Sequence, residues 1–307
     1  MAVEREAMRY LIAAAVLGLA GSAMAETWTV DDDGAADFDN IQAAVNAASD
    51  GDEIVVEAGT YTGTGDQVVD MLGKAITLRS SQGADVTIID GEGERRGIAC
   101  FSGETSKTVI KDLVITGGSG FDGGGIWCIN NSPTITNCTI SGNTASRNGG
   151  GICCFFNSNS SNPTISGCTI TGNTADYGGG GISCSNSSNP TISGCTIEGN
   201  TASSGGGIYC YNGSSPTISD SQICGNAPNQ FWGSYTDAGG NTVANECPEE
   251  DCVGDADGSG FVNIEDLLVV LGEYSSCTEN CSGDLDDDGD VDIEDMLIVI
   301  GAWGPCP

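Results

Sequence analysis

GGGIWCINNSPTITNCTISGNTA, residues 123–145, states once a phrase that the middle of this chain repeats. Its first half returns at Ile98, Ile126, Ile152, Ile182 and Ile208, at spacings of 28, 26, 30 and 26 residues. Its second half returns at Pro133, Pro163, Pro190 and Pro216, at spacings of 30, 27 and 26. A period of this size marks one supersecondary unit stacked on copies of itself, because a single unit is too small to bury its own apolar face.

The phrase also says what the unit is. Ile126 and Cys128 lie two apart and share a strand face, with Trp127 on the other. In Thr134-Ile135-Thr136 and Thr139-Ile140-Ser141 one apolar residue is flanked by polar ones. No window of the repeats has helical periodicity. Three short strands and three turns describe one coil of a parallel β-helix, and successive coils lie about 4.8 Å apart. Equivalent residues then form ladders. The five isoleucines make one interior column, and Cys100, Cys128, Cys154, Cys184 and Cys210 a second. Cys138, Cys168 and Cys195 make a third, with Leu113 below and Ser221 above. Asn143, Asn173, Asn200 and Asn226 each follow a Gly and read as a turn ladder whose amides bond along the axis.

Upstream, Asp39-Asn40 caps a short helix, Ile41 to Ala48, with Ile41, Ala44, Val45 and Ala48 on one stripe. The strand-like Glu53-Ile54-Val55-Val56 and a Gly-Thr-Tyr turn follow. This stretch, 41–61, resembles the opening of pectin-lyase-like right-handed β-helix proteins. The resemblance covers roughly residues 27 to 245 and implies a helix that plugs the open end of the stack, where a sheet edge and apolar side chains are otherwise exposed. Many such proteins are polysaccharide lyases or hydrolases.

Residues 1–25 read as a signal peptide: Arg5 and Arg9, the apolar Leu11 to Ala20, then Ala23-Met24-Ala25 as the cleavage site. The protein is expected to be secreted, extracellular or held at the cell surface, with no membrane span in the mature chain. The net charge is −34, and Arg147 is the last basic residue, so nucleic acid is excluded as a partner. Of 15 cysteines, those in the ladders are expected to be free, buried thiols acting as small hydrophobes. Cys153 and Cys224 occupy outward slots and are expected to be exposed.

Composition shifts near Cys247, which divides a β-helix domain (26–246) from a C-terminal module (247–307). The module is duplicated with a period of 29: Cys252 matches Cys281, Asp255 matches Asp284, Glu265-Asp266 matches Glu294-Asp295, and Cys277 matches Cys306. Each half carries an acidic loop with the spacing of an oxygen-ligand calcium site. The first offers Asp255, Asp257, Ser259, the Phe261 carbonyl, Asn263 and Asp266. The second offers Asp284, Asp286, Asp288, the Asp290 carbonyl, Asp292 and Asp295. Two Ca²⁺ ions are therefore expected. Val262 and Val291 are expected to pair the loops, and an apolar helix follows each loop, Ile264 to Leu271 and Ile293 to Ile300. Cys252–Cys277 and Cys281–Cys306 read as staples, which leaves Cys247 over.

The twelfth loop position is Asp rather than the Glu of EF-hands, and no helix precedes the loop. This loop–helix duplication resembles the type I dockerin, although the basic residues often found on the dockerin recognition helix are absent. The resemblance implies a cohesin-like or other surface-anchoring partner, with Ile264, Glu265, Ile293 and Glu294 at the positions that choose it.

Catalysis on a β-helix needs charged side chains at outward slots of neighbouring coils. A hydrolase needs two carboxylates, and a lyase a cation and a base. Outward slots here hold Ala99, Trp127, Cys153, Ser183 and Tyr209, and Lys111, Thr136, Ser166, Ser193 and Ser219. No stacked carboxylates and no acid–base–cation cluster are expected, so no catalytic residue is assigned. The nearest charges are Arg95-Arg96, Lys111-Asp112 (read as a surface ion pair), Asp122 and Arg147. Trp127 and Tyr209 are aromatic residues able to stack on sugars. With no histidine, a Ser-His-Asp or Cys-His system is excluded. Two readings follow. The first is an exported scaffold or adhesin-like stalk anchored by its calcium module. The other is a polysaccharide lyase, hydrolase or glycan-binding module delivered by the same anchor.

Overall fold

The computed structural model describes residues 25–155, 161–247, 254–257, 259, 261–274, 281–286 and 290–305. All of the expected signal peptide but its last residue, Ala25, lies outside them. The chain forms two compact units, Met1–Cys247 and Pro248–Pro307.

The first unit is an all-β parallel solenoid. Its strands fall into three long sheets of nine, eight and seven strands, ordered along the axis as in the chain. The phrase 123–145 supplies one strand to each: Ile126–Ile129, Thr134–Thr136 and Thr139–Ser141. Every isoleucine column expected from the spacing is in register. Ile126 pairs with Ile98 and Ile152, and Ile182 with Ile152 and Ile208. Each of these side chains is fully buried, a gain of about 1.5–3 kcal/mol apiece. The cysteine columns stack beside them as free thiols. Neighbouring thiols and burial push Cys128 and Cys184 upward in pKa, and Cys168 to about 12 through its bond to Cys138.

The asparagine ladder is continuous. Nδ2 of Asn143, Asn173 and Asn200 donates to Oδ1 of the next asparagine at 2.9, 3.0 and 2.9 Å. Gln230 ends the series, accepting from Asn226 at 2.7 Å. The left-handed backbone of this turn falls on the preceding glycines, Gly142, Gly172, Gly199 and Gly225, with φ between 60° and 64°. The asparagines themselves stay out of it, which frees their amides to face inward.

Both ends of the stack are closed. Helix α1, Ile41–Ala47, is capped by the Asn40 side chain and buries Ile41, Ala44 and Val45. Its Gln42 amide grips the edge strand Gln67–Asp70, accepting from Asp70 N at 2.7 Å and donating to Asp70 O at 3.2 Å. A side chain thus occupies the hydrogen-bonding groups of an open edge. At the other end, Phe231 and Tyr235 stack at 4.3 Å and pack on the core.

Three differences from the sequence reading concern the outward faces. A fourth, short sheet, Ser119–Asp122, Thr144–Asn148 and Thr174–Ala175, runs beside the third long sheet. The glycines after it fold over that sheet's outer face: a Cβ on Gly149 would lie 2.7 Å from that of Cys153. Cys153 is therefore buried, not exposed. Cys224 is buried as well and is bonded to Cys247, so Cys247 is neither left over nor part of the second module. The bond ties the end of the solenoid to the strand Gln222–Cys224.

The second unit contains helices α2, Ile264–Glu273, and α3, Ile293–Gly301, each opened by a capping box. Val262, Val270, Val291 and Val299 form its small core. Val262 does not pair with Val291 as a strand: the short strand Phe261–Val262 runs antiparallel to Gly304–Pro305, with Val262 opposite Gly304. Cys281 is disulfide-bonded; Cys252, Cys277 and Cys306 lie outside the described residues.

Candidate functional site

The third long sheet and the short fourth sheet bring together charges that their spacing keeps apart in sequence. Asp122 and Arg147 form a two-pronged pair, with Arg147 Nε donating to Oδ1 at 2.9 Å and Nη2 donating to Oδ2. Asn148 Nδ2 donates to the same carboxylate at 3.2 Å. Arg96 Nε donates to the Asp122 carbonyl at 3.0 Å, and its guanidinium lies 4.3 Å over the Trp127 ring. Burial lowers the Arg96 pKa, and the Asp122 bond raises that of Arg147. A cluster of two cations and one carboxylate therefore exists where none was expected, because the fourth strand folds Asp122 and Arg147 back beside Arg96. Lys111 and Asp112 do form a surface pair, at 3.7 Å.

Beside this cluster opens a cavity of about 260 Å³ lined by Arg147, Asn148, Phe155, Tyr177, Tyr209 and Tyr211, among others. Tyr209 is its aromatic floor, stacked on Trp232 at 4.7 Å and near-parallel to Tyr211 at 6.2 Å, with the Tyr177 ring edge-on at 5.9 Å. The register explains the stack: Tyr209 pairs with Trp232 on the next coil, and Tyr211 lies two residues along the same strand face. Burial and the Tyr177 hydroxyl push Tyr209 up to about 12. The aromatic pair singled out in the sequence is not the platform. Trp127 lies under Arg96, and Tyr209 is 3% exposed. Within the cluster stacked about Tyr209, the exposed rings are Tyr177, Tyr211 and Trp232. The pattern Ile-Tyr-Cys-Tyr held a signal for this, since two aromatics two apart share a face.

The second unit gathers the acidic loop residues into two equivalent sets. Carboxylate oxygens of Asp255, Asp257 and Asp266 lie within 4.8 Å of one another, as do those of Asp284, Asp286 and Asp295. That separation suits a cation with oxygen ligands at about 2.3–2.6 Å. Asp266 and Asp295 are buried. They also close the capping boxes, accepting from Asn263 N at 2.7 Å and Asp292 N at 2.8 Å, a task that suits the short Asp side chain. Asn263 and Asp292 face their helices, accepting from Glu265 N and Glu294 N. Ser259 N donates to both Asp255 and Asp257. Phe261 stands on the short strand, Asp290 is exposed, and Asp288 lies outside the described residues. Ile264, Glu265, Ile293 and Glu294 are exposed at the starts of α2 and α3. Two apolar stripes continue from them, Ile264, Leu268 and Leu271 on α2 and Ile293, Leu297 and Ile300 on α3, each residue about half exposed.

The chain belongs to the right-handed β-helix family: residues 71–247 match the family described as right handed beta helix region. No curated protein matches the chain. Solved structures with a similar course include pectate lyase Pel9A, at 14% identity and a TM-score of 0.47, covering 88% of this chain and 90% of that one. A pectin methylesterase from carrot is similar at 13% identity and a TM-score of 0.44, over 72% of this chain and 88% of that one. A rhamnogalacturonan lyase is similar at 14% and 0.40, over 73% and 64%.

Proposed function

We propose that this protein is an exported, carbohydrate-binding β-helix held in place by a calcium-loaded C-terminal module. The observation that carries the reading is the aromatic groove. It offers exposed ring faces of Tyr177 and Tyr211 beside the side chains of Arg147 and Asn148, the mix of apolar faces and fixed polar groups that sugar rings require. Among the described residues the groove holds no second carboxylate opposite Asp122, and Asp122 is itself engaged by Arg147 and Asn148. Binding without turnover is therefore the stated function. It refines the scaffold reading rather than replacing it, since the other faces of the coils still carry small polar residues.

For the second unit, Asp255, Asp257 and Asp266, and Asp284, Asp286 and Asp295, are the residues that would hold two Ca²⁺ ions. The metal would supply positive charge that offsets the mutual repulsion of the three carboxylates in each set. The two exposed apolar stripes, each starting at the Ile-Glu pair, support a cohesin-like or other surface-anchoring protein as partner.

The test is a panel of acidic and neutral polysaccharides offered to the mature protein in calcium, with retention, unsaturated products and new reducing ends recorded together. Retention without products is the expected result. Products from any polysaccharide would make the protein an enzyme. Silence throughout would leave the bare scaffold.

A further inference from the structure

We infer that the groove selects uncharged polysaccharide chains over polyuronates, a statement that rests on the carbohydrate reading and narrows it. The argument begins with where the cations are. Arg147 is the last basic residue of the chain, so every coil beyond it lacks one. Its guanidinium is committed twice, to the Asp122 carboxylate and to the Phe121 ring at 4.6 Å. Arg96 is turned inward over Trp127 and onto the Asp122 carbonyl. The Arg147 charge is already offset by the nearly buried Asp122 carboxylate, so a uronate would have to compete with that pair for the guanidinium, and Arg96 is held away from the groove.

Apart from Arg147, whose charge Asp122 offsets, the described lining of the groove is uncharged. Tyr177 and Tyr211 are 57% and 51% exposed, Trp232 is 42% exposed, and the polar lining beside them comes from Asn148, Ser185 and Asn186. The tyrosine floor keeps its proton at working pH, since Tyr209 titrates at about 12. The rings are already ordered by stacking on one another and by strand pairing, so little conformational entropy is lost when a sugar lies on them. The chain as a whole carries −34 charges, a field that disfavours polyanions at low salt. The ligand class is thus a hydroxyl-rich, uncharged chain with an apolar ring face, a short stretch of which the cavity seats.

The test uses the full mature protein with calcium. Affinity electrophoresis compares soluble xyloglucan, mixed-linkage glucan and galactomannan with polygalacturonate and alginate. At least one neutral polymer should retard the protein, unchanged between about 0.05 and 0.5 M salt because no ion pair forms. Tyr211→Ala and Tyr177→Ala should each weaken that retention on the order of tenfold, and Tyr211→Phe should restore most of it. Both side chains are exposed, and an unchanged circular dichroism spectrum confirms that the variants fold. Retardation by the uronates alone would overturn the selectivity while the carbohydrate reading stands. Neutral binding indifferent to both alanine variants would overturn the groove as its site. No retardation by any polymer would overturn the carbohydrate reading itself.

Discussion

Both units of this chain are built by repetition, and they differ in what the repeated copy supplies. In the solenoid each coil presents isoleucines that only a neighbouring coil can bury, so every added copy extends one apolar core and satisfies the backbone of the last. In the second unit the copy supplies one more small helix and one more acidic loop. The shared core is four valines with a few partly buried neighbours, while three carboxylates crowd together in each half. The first arrangement is self-sufficient. The second brings like charges into contact, and under the proposed calcium reading a bound cation would offset them.

The largest expected effect tests that contrast directly. An excess of chelator should abolish the helical circular dichroism of α2 and α3 and leave the β-signal of the solenoid unchanged. If the helices survive, the capping boxes and the valine core suffice, and the comparison between the units fails.

The next effect lies inside the solenoid and separates its two kinds of ladder. Asn173→Ala removes the acceptor of Asn143 N and Nδ2 and the donor to Ile140 O. Stranding these buried groups should cost about 3–5 kcal/mol in denaturant unfolding. Cys154→Ala, in a ladder held by packing, should cost only about 1 kcal/mol. Equal costs would show that polar and apolar columns contribute alike.

A smaller effect concerns the end of the stack. Replacing Cys224 and Cys247 by serine should destabilise the first unit by about 2–4 kcal/mol. Reductant should shift the unfolding midpoint of the wild type and leave that of the variant in place.

The smallest is a pH effect at the opposite end. Asp52 accepts from Glu26 N and Ser49 N at 2.8 Å each, and these bonds hold its carboxyl below the usual range. The folded pKa is depressed, so the stabilisation is present above the unfolded value, about 3.9, and is lost as pH falls through the folded one. The deficit of Asp52→Asn relative to wild type, measured at pH 6, should therefore shrink below about pH 4. A deficit constant down to pH 2 would assign it to packing instead.

Much of the solenoid was readable in advance because its repeat is nearly exact. A one-residue register error would turn every isoleucine outward, so the columns at Ile126 and Cys128 follow from spacing alone. The capping helix was readable from Asn40 and its apolar stripe. In the second unit three carboxylates of each acidic loop lie close together, Asp255, Asp257 and Asp266, and Asp284, Asp286 and Asp295. What spacing did not show was lateral folding between strands. The exposure expected of Cys153 and Cys224 failed because glycine backbone and a disulfide cover them. Arg96, Asp122 and Arg147 stand about one coil apart and are among the nearest charges in the sequence reading, but their joining was not expected because Asp122 and Arg147 lie on the short fourth sheet, which the repeat phrase did not show.

The sequence by itself determined the coil, its interior columns, the polar ladder and the two acidic loops, since each is a local pattern repeated at a fixed period. The tertiary structure alone decided which outward side chains are covered, which cysteines are bonded and which aromatic rings face solvent. Those outcomes depend on the path of irregular turns over a neighbouring sheet face. No periodicity encodes that path, because it is the part of each repeat that varies.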